Sequence, residues 1–156
     1  MKVRIRKRHA VFAALVVALS IPAAASTRTT AGPPTKIGAG EGKLTLVAWQ
    51  GYTEPLWVKP FEQQTGCQVE AKYASTSDEM VALMRSGGGG QYDMVSASGD
   101  ASLRLIYGGD VAPVNVNLVP SWKDFFNAFK SPPNNTVKGV HYGISLQFGP
   151  NILMYN

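Results

Sequence analysis

The alternation of strand-like and helix-like segments is the feature that most constrains the fold of this chain. Apolar, β-branched runs at residues 43–49 and 92–96 have the composition of buried strands, and residues 67–74 alternate between apolar and polar. A segment with apolar residues at helical spacing follows each run. Strands that alternate with helices form parallel sheets covered by helices. The sequence therefore predicts an α/β fold with a mainly parallel sheet.

Three helices are predicted to follow these strands. Gly66 is placed to end the first helix, and Pro60, which has no N–H to donate, is expected to delay its regular part. Trp57 and Phe61 of the same helix are expected to pack against the sheet. Residues 77–79 are expected to cap the second helix. The three helices cover residues 55–65, 77–85 and 98–107.

The last third of the chain has a less regular pattern. Residues 119–130 are predicted to form an amphipathic helix, because their large aromatic side chains recur at helical spacing. Residues 132–135 have the composition of a turn. Residues 142–156 have the pattern of a strand that breaks near Gly149 and has no turn after it. We therefore expect Asn156 to be a truncation point.

The amino-terminal segment has the pattern of an export signal. A basic start, a short apolar run and a small-residue cleavage site predict a signal peptide over residues 1–25. The apolar run is short for a membrane span, although an uncleaved anchor is the alternative. Residues 26–42 are rich in Thr, Ala, Gly and Pro and are expected to form a flexible linker. Residues 43–156 then form the ordered domain.

Charge and cysteine content exclude several classes of function. The chain has 15 Lys and Arg residues against 10 Asp and Glu, but five of the basic residues lie in the signal. Residues 26–156 therefore have no net charge and no basic cluster, which argues against nucleic-acid binding. No metal-site spacing and no cofactor motif is present. Cys67 is the only cysteine, so its thiol is either free or lacks its partner.

The order of several segments resembles the spermidine/putrescine-binding proteins of ABC transporters. The resemblance covers residues 43–156 and depends on the ordered set AWQGY, TGCQVEAKY, YDMVSASGDASLRL and YGISLQFGPNILMYN. It implies one lobe of a type II periplasmic-binding-protein-like fold, with the first crossing strand present and the second lobe missing. It also implies a polyamine or similar small cationic solute as ligand, and a membrane permease as partner.

The loop after the first strand carries three candidate ligand residues. Aromatic faces suit the methylenes and ammonium groups of a polyamine, so Trp49 and Tyr52 are expected to line the binding cleft. The resemblance adds Gln50 as a polar contact. The alternative is that Trp49 packs under the loop without meeting ligand.

Three further candidates lie later in the chain. Ser98 and Asp100 are placed at a helix start, where the resemblance implies that Ser98 contacts ligand. Polyamine binders of the family have an aromatic residue where Asp100 stands, so Asp100 supplies either a counter-charge or an ordinary cap. The resemblance also places Phe148, with Gln147 beside it, in the crossing strand near the cleft, although core packing is the alternative.

These observations predict a non-enzymatic, exported receptor that works as a monomer. It is either free outside the cytoplasmic membrane or held there by an uncleaved signal. Within the same class, the ligand could instead be an iron complex, thiamine or another small solute. Outside that class, the chain could be a truncated relic without function or a secreted hydrolase, although the sequence has no Gly-x-Ser-x-Gly elbow.

Overall fold

The structure is a computed structural model that describes residues 32–86, 90–149 and 153–154. The predicted signal peptide and residues 26–31 of the predicted linker lie outside the described residues. Residues 32–42 are exposed and form neither helix nor strand, and the Asn115 side chain donates a 2.9 Å hydrogen bond to the carbonyl of Pro34. In the described part of the chain, no helix is long and apolar enough to cross a membrane.

A three-stranded parallel sheet forms the centre of the fold, as the sequence predicted. Its strands are β1 (Lys43–Ala48), β2 (Gln68–Tyr73) and β3 (Met94–Val95), arranged in the order β2-β1-β3. The continuous apolar run of β1 suits its central position, whereas the alternating β2 lies beside it with mostly exposed side chains. Strand β3 is shorter than predicted and pairs with β1 at Leu46 and Val47.

The first helix, α1 (Pro55–Thr65), differs from its prediction in two ways. It begins at Pro55, because a proline in the first helical position needs no hydrogen-bond partner, and it continues through Pro60. It also contributes no buried residue to the core, and Trp57 is 50% exposed. The indole N–H of Trp57 donates a 2.9 Å hydrogen bond to the carbonyl of Tyr52, which keeps the ring beside the preceding loop.

The second and third helices, α2 (Ser77–Ser86) and α3 (Gly99–Gly108), follow their predicted positions closely. The cap of α2 is Thr76, one residue earlier than expected. Its hydroxyl accepts a 3.1 Å hydrogen bond from the N–H of Glu79, whose carboxylate accepts one from the N–H of Ser75. Gly109 ends α3 in the left-handed conformation, at φ 69°.

The buried core is formed by β1, by α2 and α3, and by the residue that follows β2. Two ion pairs, Arg85 with Asp110 and Arg104 with Asp78, also connect α2 with α3 and the residues after it. The Asp110 side chain is almost fully buried, so its pair is the better shielded from solvent. The buried apolar residues are Val47, Ala48, Ala74, Met80, Val81, Ala101 and Leu105.

Asp93 connects the start of β3 to β1. Its carboxylate accepts 2.7 Å hydrogen bonds from the N–H and the hydroxyl of Thr45, and its own N–H donates to the Thr45 carbonyl. The hydrogen bond from the Thr45 N–H, followed by that from the hydroxyl, lowers the pKa of Asp93 below its ordinary value of 3.8. Asp93 therefore has a structural role at the amino end of the sheet.

The predicted amphipathic helix over residues 119–130 is wrong as a single element. The chain forms a 3₁₀ helix over Pro120–Asp124, becomes extended at Phe125 and Phe126, and ends with the short helix α4 (Asn127–Lys130). The break lets aromatic rings pack in different directions. Trp122 packs edge-on against His141 at 5.3 Å between ring centroids, and Phe129 lies 6.2 Å from Phe148.

A short hairpin lies between the predicted turn over residues 132–135 and the predicted strand over residues 142–156. Strands β4 (Thr136–Val137) and β5 (Val140–His141) pair antiparallel around Lys138 and Gly139, which both have positive φ angles. This conformation is that of a two-residue hairpin turn of type I′. The predicted strand over residues 142–156 is wrong within the described residues, because residues 142–149 join no ladder.

Candidate functional site

The carboxyl ends of β1 and β3 define the candidate site. The strands are neighbours in the sheet, and β2 lies on the other side of β1. The connections that leave β1 and β3 therefore start side by side at one edge of the sheet. Ligands of open α/β sheets bind in the crevice at such a point, where the strand order reverses. The loops that begin at Trp49 and Ser96 both leave the sheet at this edge.

A tight turn shapes the loop after β1. The N–H of Tyr52 donates a 3.2 Å hydrogen bond to the carbonyl of Trp49, and Gly51 between them has a φ of 90°. This geometry is that of a type II turn, which requires a positive φ at its third residue and therefore favours glycine there. The turn places Trp49 and Tyr52 at its two ends and leaves Gln50 exposed.

The two aromatic residues of this turn have different surroundings. Trp49 is half-buried and packs against the core cluster of Val47, Ala74 and Met80. Its ring is therefore partly in the core and partly accessible. Tyr52 is also half-buried, and its hydroxyl oxygen accepts a hydrogen bond from the side-chain amide of Gln147.

The loop after β3 leads directly into α3. Ser98 is the N-cap residue, but its side chain makes no capping hydrogen bond and is exposed. The hydroxyl is therefore not used in holding the helix. Asp100 lies in the first turn rather than at the cap, so the interpretation of Asp100 as an ordinary cap is not what the structure shows. Its exposed carboxylate stabilises the helix N-terminus through the helix dipole.

Residues of the last third of the chain reach both loops. A Cβ added to Gly99 would lie 3.4 Å from the Cβ of Asn134, so Asn134 flanks the start of α3. Gln147 reaches Tyr52, and Phe148 is 75% exposed with its ring beside Phe129. Sequence reasoning missed Asn134, because only the packing of the hairpin segment brings it to α3. Phe148 does not lie in the core, so core packing does not account for it.

An open depression with charged lining lies away from these residues. Its lining includes Glu41, Lys43 and Asp93, which are found at the amino end of the sheet. The Asp93 carboxylate there is already bonded to Thr45. Among the residues that the structure describes, no group of three or more His, Cys, Asp or Glu side chains is placed to hold a metal ion.

No family model matches the sequence. One curated relative is the putrescine/cadaverine-binding protein of Pseudomonas aeruginosa, which is 27% identical over 114 residues. The alignment covers 73% of this chain and 31% of the relative. This chain therefore spans about a third of the length of the curated relative that it matches.

Two solved structures have a similar fold. A spermidine/putrescine ABC transporter protein from Listeria monocytogenes matches with a TM-score of 0.53 and 23% identity, over 56% of this chain and 27% of that one. The spermidine/putrescine ABC transporter substrate-binding protein PotD from Streptococcus pneumoniae matches with a TM-score of 0.55 and 19% identity. That alignment covers 60% of this chain and 28% of the other.

The resemblance predicted from the sequence is thus confirmed by a sequence relative and by the fold. The matches to the solved structures cover 56% and 60% of this chain. The chain is similar over part of its length to polyamine-binding proteins, and it has the α/β fold found in the substrate-binding proteins of ABC transporters.

Proposed function

We propose that this chain belongs to the extracytoplasmic substrate-binding component of an ABC importer for polyamines such as putrescine and spermidine. The observation that carries the proposal is the position of two loops. The turn with Trp49 and Tyr52 and the start of α3 at Ser98 leave neighbouring parallel strands at the same edge of the sheet. The similarity to a putrescine/cadaverine-binding protein supports the choice of ligand class.

The side chains at this edge suit the chemistry of a polyamine. Its methylene groups pack on aromatic faces, and its ammonium groups are attracted to them by cation–π interactions. Trp49 and Tyr52 supply such faces, and Gln50 and Ser98 supply hydrogen-bonding groups. The exposed carboxylate of Asp100 supplies a counter-charge. Burial of a dication requires further anionic partners, which we assign to a second lobe.

The proposed mechanism is binding between two lobes followed by closure. Ligand that contacts both lobes shifts an open–closed equilibrium towards the closed form, which then docks on a membrane permease. Residues 1–25 would direct export as a signal peptide. The receptor is proposed to be monomeric and without enzymatic activity, and the names of the similar proteins, which describe binding proteins, support the second part of this proposal.

The ligand is tested on the product of the complete reading frame by isothermal titration calorimetry. Putrescine and spermidine are compared with thiamine and a ferric complex at the same concentrations. Trp49→Ala is expected to weaken polyamine affinity at least about tenfold, because it removes a cation–π face and buried area. Tyr107→Ala is the matched control, since Tyr107 is 74% exposed on α3 and lies away from both loops.

The contribution of the second lobe is tested on residues 26–156 alone. We expect no specific binding of spermidine, because closure needs surfaces that this segment does not contain. Micromolar binding by residues 26–156 would contradict the two-lobe mechanism. Preference of the complete protein for thiamine or the ferric complex would contradict the ligand class.

A further inference from the structure

The contact between Gln147 and Tyr52 connects two segments that are 95 residues apart in the sequence. We propose that Gln147 is a positioning residue that orients the Tyr52 phenol for an ammonium group of the ligand. This inference rests on the proposed function and adds a residue that gives the site its selectivity for amines. The contact links the turn after β1 to residues 142–149.

The chain on either side of Gln147 is anchored to Phe129. The hydroxyl of Ser145 donates a 3.1 Å hydrogen bond to the Phe129 carbonyl, and Ser145 also accepts a bond from the buried Asn135 at 3.3 Å. The Phe148 ring lies 6.2 Å from the Phe129 ring. Gln147 therefore extends from a short segment that is fixed at both ends, although its own side chain is exposed.

The backbone of Tyr52 is held in a similar way. Its N–H donates to the carbonyl of Trp49 at 3.2 Å, and its carbonyl accepts the indole N–H of Trp57 at 2.9 Å. These bonds fix the backbone but leave the ring free to rotate about its side-chain torsions. The bond from Gln147 to the hydroxyl oxygen restricts rotation about χ1, the torsion that sets where this oxygen lies.

This geometry has a direct consequence for ligand binding. A phenol oxygen has two acceptor sites, and the amide N–H of Gln147 occupies one of them. The second remains available to an ammonium N–H. A phenol that is already oriented loses less side-chain entropy when ligand binds, so the interaction with the cation is stronger than that of a freely rotating ring.

A double-mutant cycle for putrescine binding tests the inference on the complete protein. Gln147→Leu is expected to weaken affinity about fivefold, which is the size of one net hydrogen bond. Tyr52→Phe is expected to weaken it at least as much. The double variant should then bind no more weakly than Tyr52→Phe alone, because Gln147 acts through the phenol oxygen. Gln64→Leu, an exposed glutamine on α1, is the control and should bind normally.

NMR of the ligand-free protein with labelled tyrosine separates the two possible failures. Gln147→Leu should shift the ring signals of Tyr52 and leave the unfolding midpoint unchanged, since Gln147 is exposed. Normal putrescine affinity in Gln147→Leu, or additive losses in the double variant, would overturn the inference while the proposed function stands. Absence of polyamine binding by the unaltered protein would overturn the proposed function itself, whatever the tyrosine signals show.

Discussion

The region from β1 to the end of α3 and the region from residue 116 to 149 are held together differently. Every buried apolar residue described in the structure lies between Val47 and Leu105. The later region buries one residue of its own, the polar Asn135, within the described residues. It depends instead on ring contacts and on hydrogen bonds such as that between Val114 and His141, at 2.7 Å.

This difference in buried apolar surface indicates that the region from β1 to the end of α3 sets the global stability. Burial of apolar surface stabilises a domain by about 25 cal/mol for each Å². A contact between two exposed rings buries little surface and therefore stabilises the domain much less than a buried core residue does. Segments with few buried contacts open locally at lower free energy than the core. We therefore expect the later region to open while the sheet, α2 and α3 remain folded.

The largest effect is expected from truncation in the core. Leu105→Ala should lower the free energy of unfolding by about 3 kcal/mol. The Leu105 side chain on α3 is almost fully buried and belongs to the same core cluster as Val81 of α2. Phe126→Ala removes a larger side chain from the later region, where Phe126 is 78% exposed, and should cost less than about 0.5 kcal/mol. Urea denaturation followed by circular dichroism measures both. Equal losses would abolish the distinction between the regions.

A matched pair of glycines sharpens the same comparison. Gly109 and Gly139 have φ angles of 69° and 76°, and an added Cβ would meet no atom within 4 Å at either position. Alanine at each position therefore carries the backbone cost alone, about 1 kcal/mol. Gly109→Ala should lower the urea concentration at the midpoint of global unfolding. Gly139→Ala should instead increase hydrogen exchange in β4 and β5 only.

A global shift from Gly139→Ala would mean that the hairpin unfolds together with the core. Exchange at Val137 and Val140 should be followed, since they pair within the hairpin. Unchanged exchange at these two positions would show that the hairpin tolerates the positive φ of an alanine and would contradict the expected backbone cost.

The smallest effect is expected from pH. The pKa of Asp93 is lowered in the folded state, so its contribution to stability is present above 3.8 and is lost as pH falls through the native pKa. Asp93→Asn should remove the loss of unfolding free energy that this carboxyl group causes as the pH falls below 3.8. Identical pH profiles for wild type and Asp93→Asn would contradict the assignment.

The sequence predicted the first region well because its signals are local. The apolar run of β1, the glycine after α1 and the alternation of β2 each identify their elements without reference to distant residues. The error at Trp57 arose because an apolar residue at helical spacing was taken as buried, whereas its indole bonds to the neighbouring loop. The later region was predicted poorly because ring contacts between distant residues, such as Trp122 and His141, override its helical periodicity.

The candidate site was predictable in position but not in its contacts. Parallel topology places the ends of β1 and β3 together, so Trp49 and Ser98 could be assigned to one edge from sequence alone. The positions of Asn134 and Gln147 depend on how the later region packs, which no local pattern encodes. The hairpin had one usable signal, a Lys-Gly pair between β-branched residues, which was missed.

The half-buried position of Trp49 has a consequence for how ligand preference can diverge. Gln50, Ser98 and Asp100 are exposed and contribute nothing to the core, so in the proposed receptor their replacement should alter recognition at little cost in folding. Trp49 packs against the core cluster of Val47, Ala74 and Met80 and cannot be exchanged as freely. New specificities are therefore expected to arise around a retained indole, through its polar neighbours.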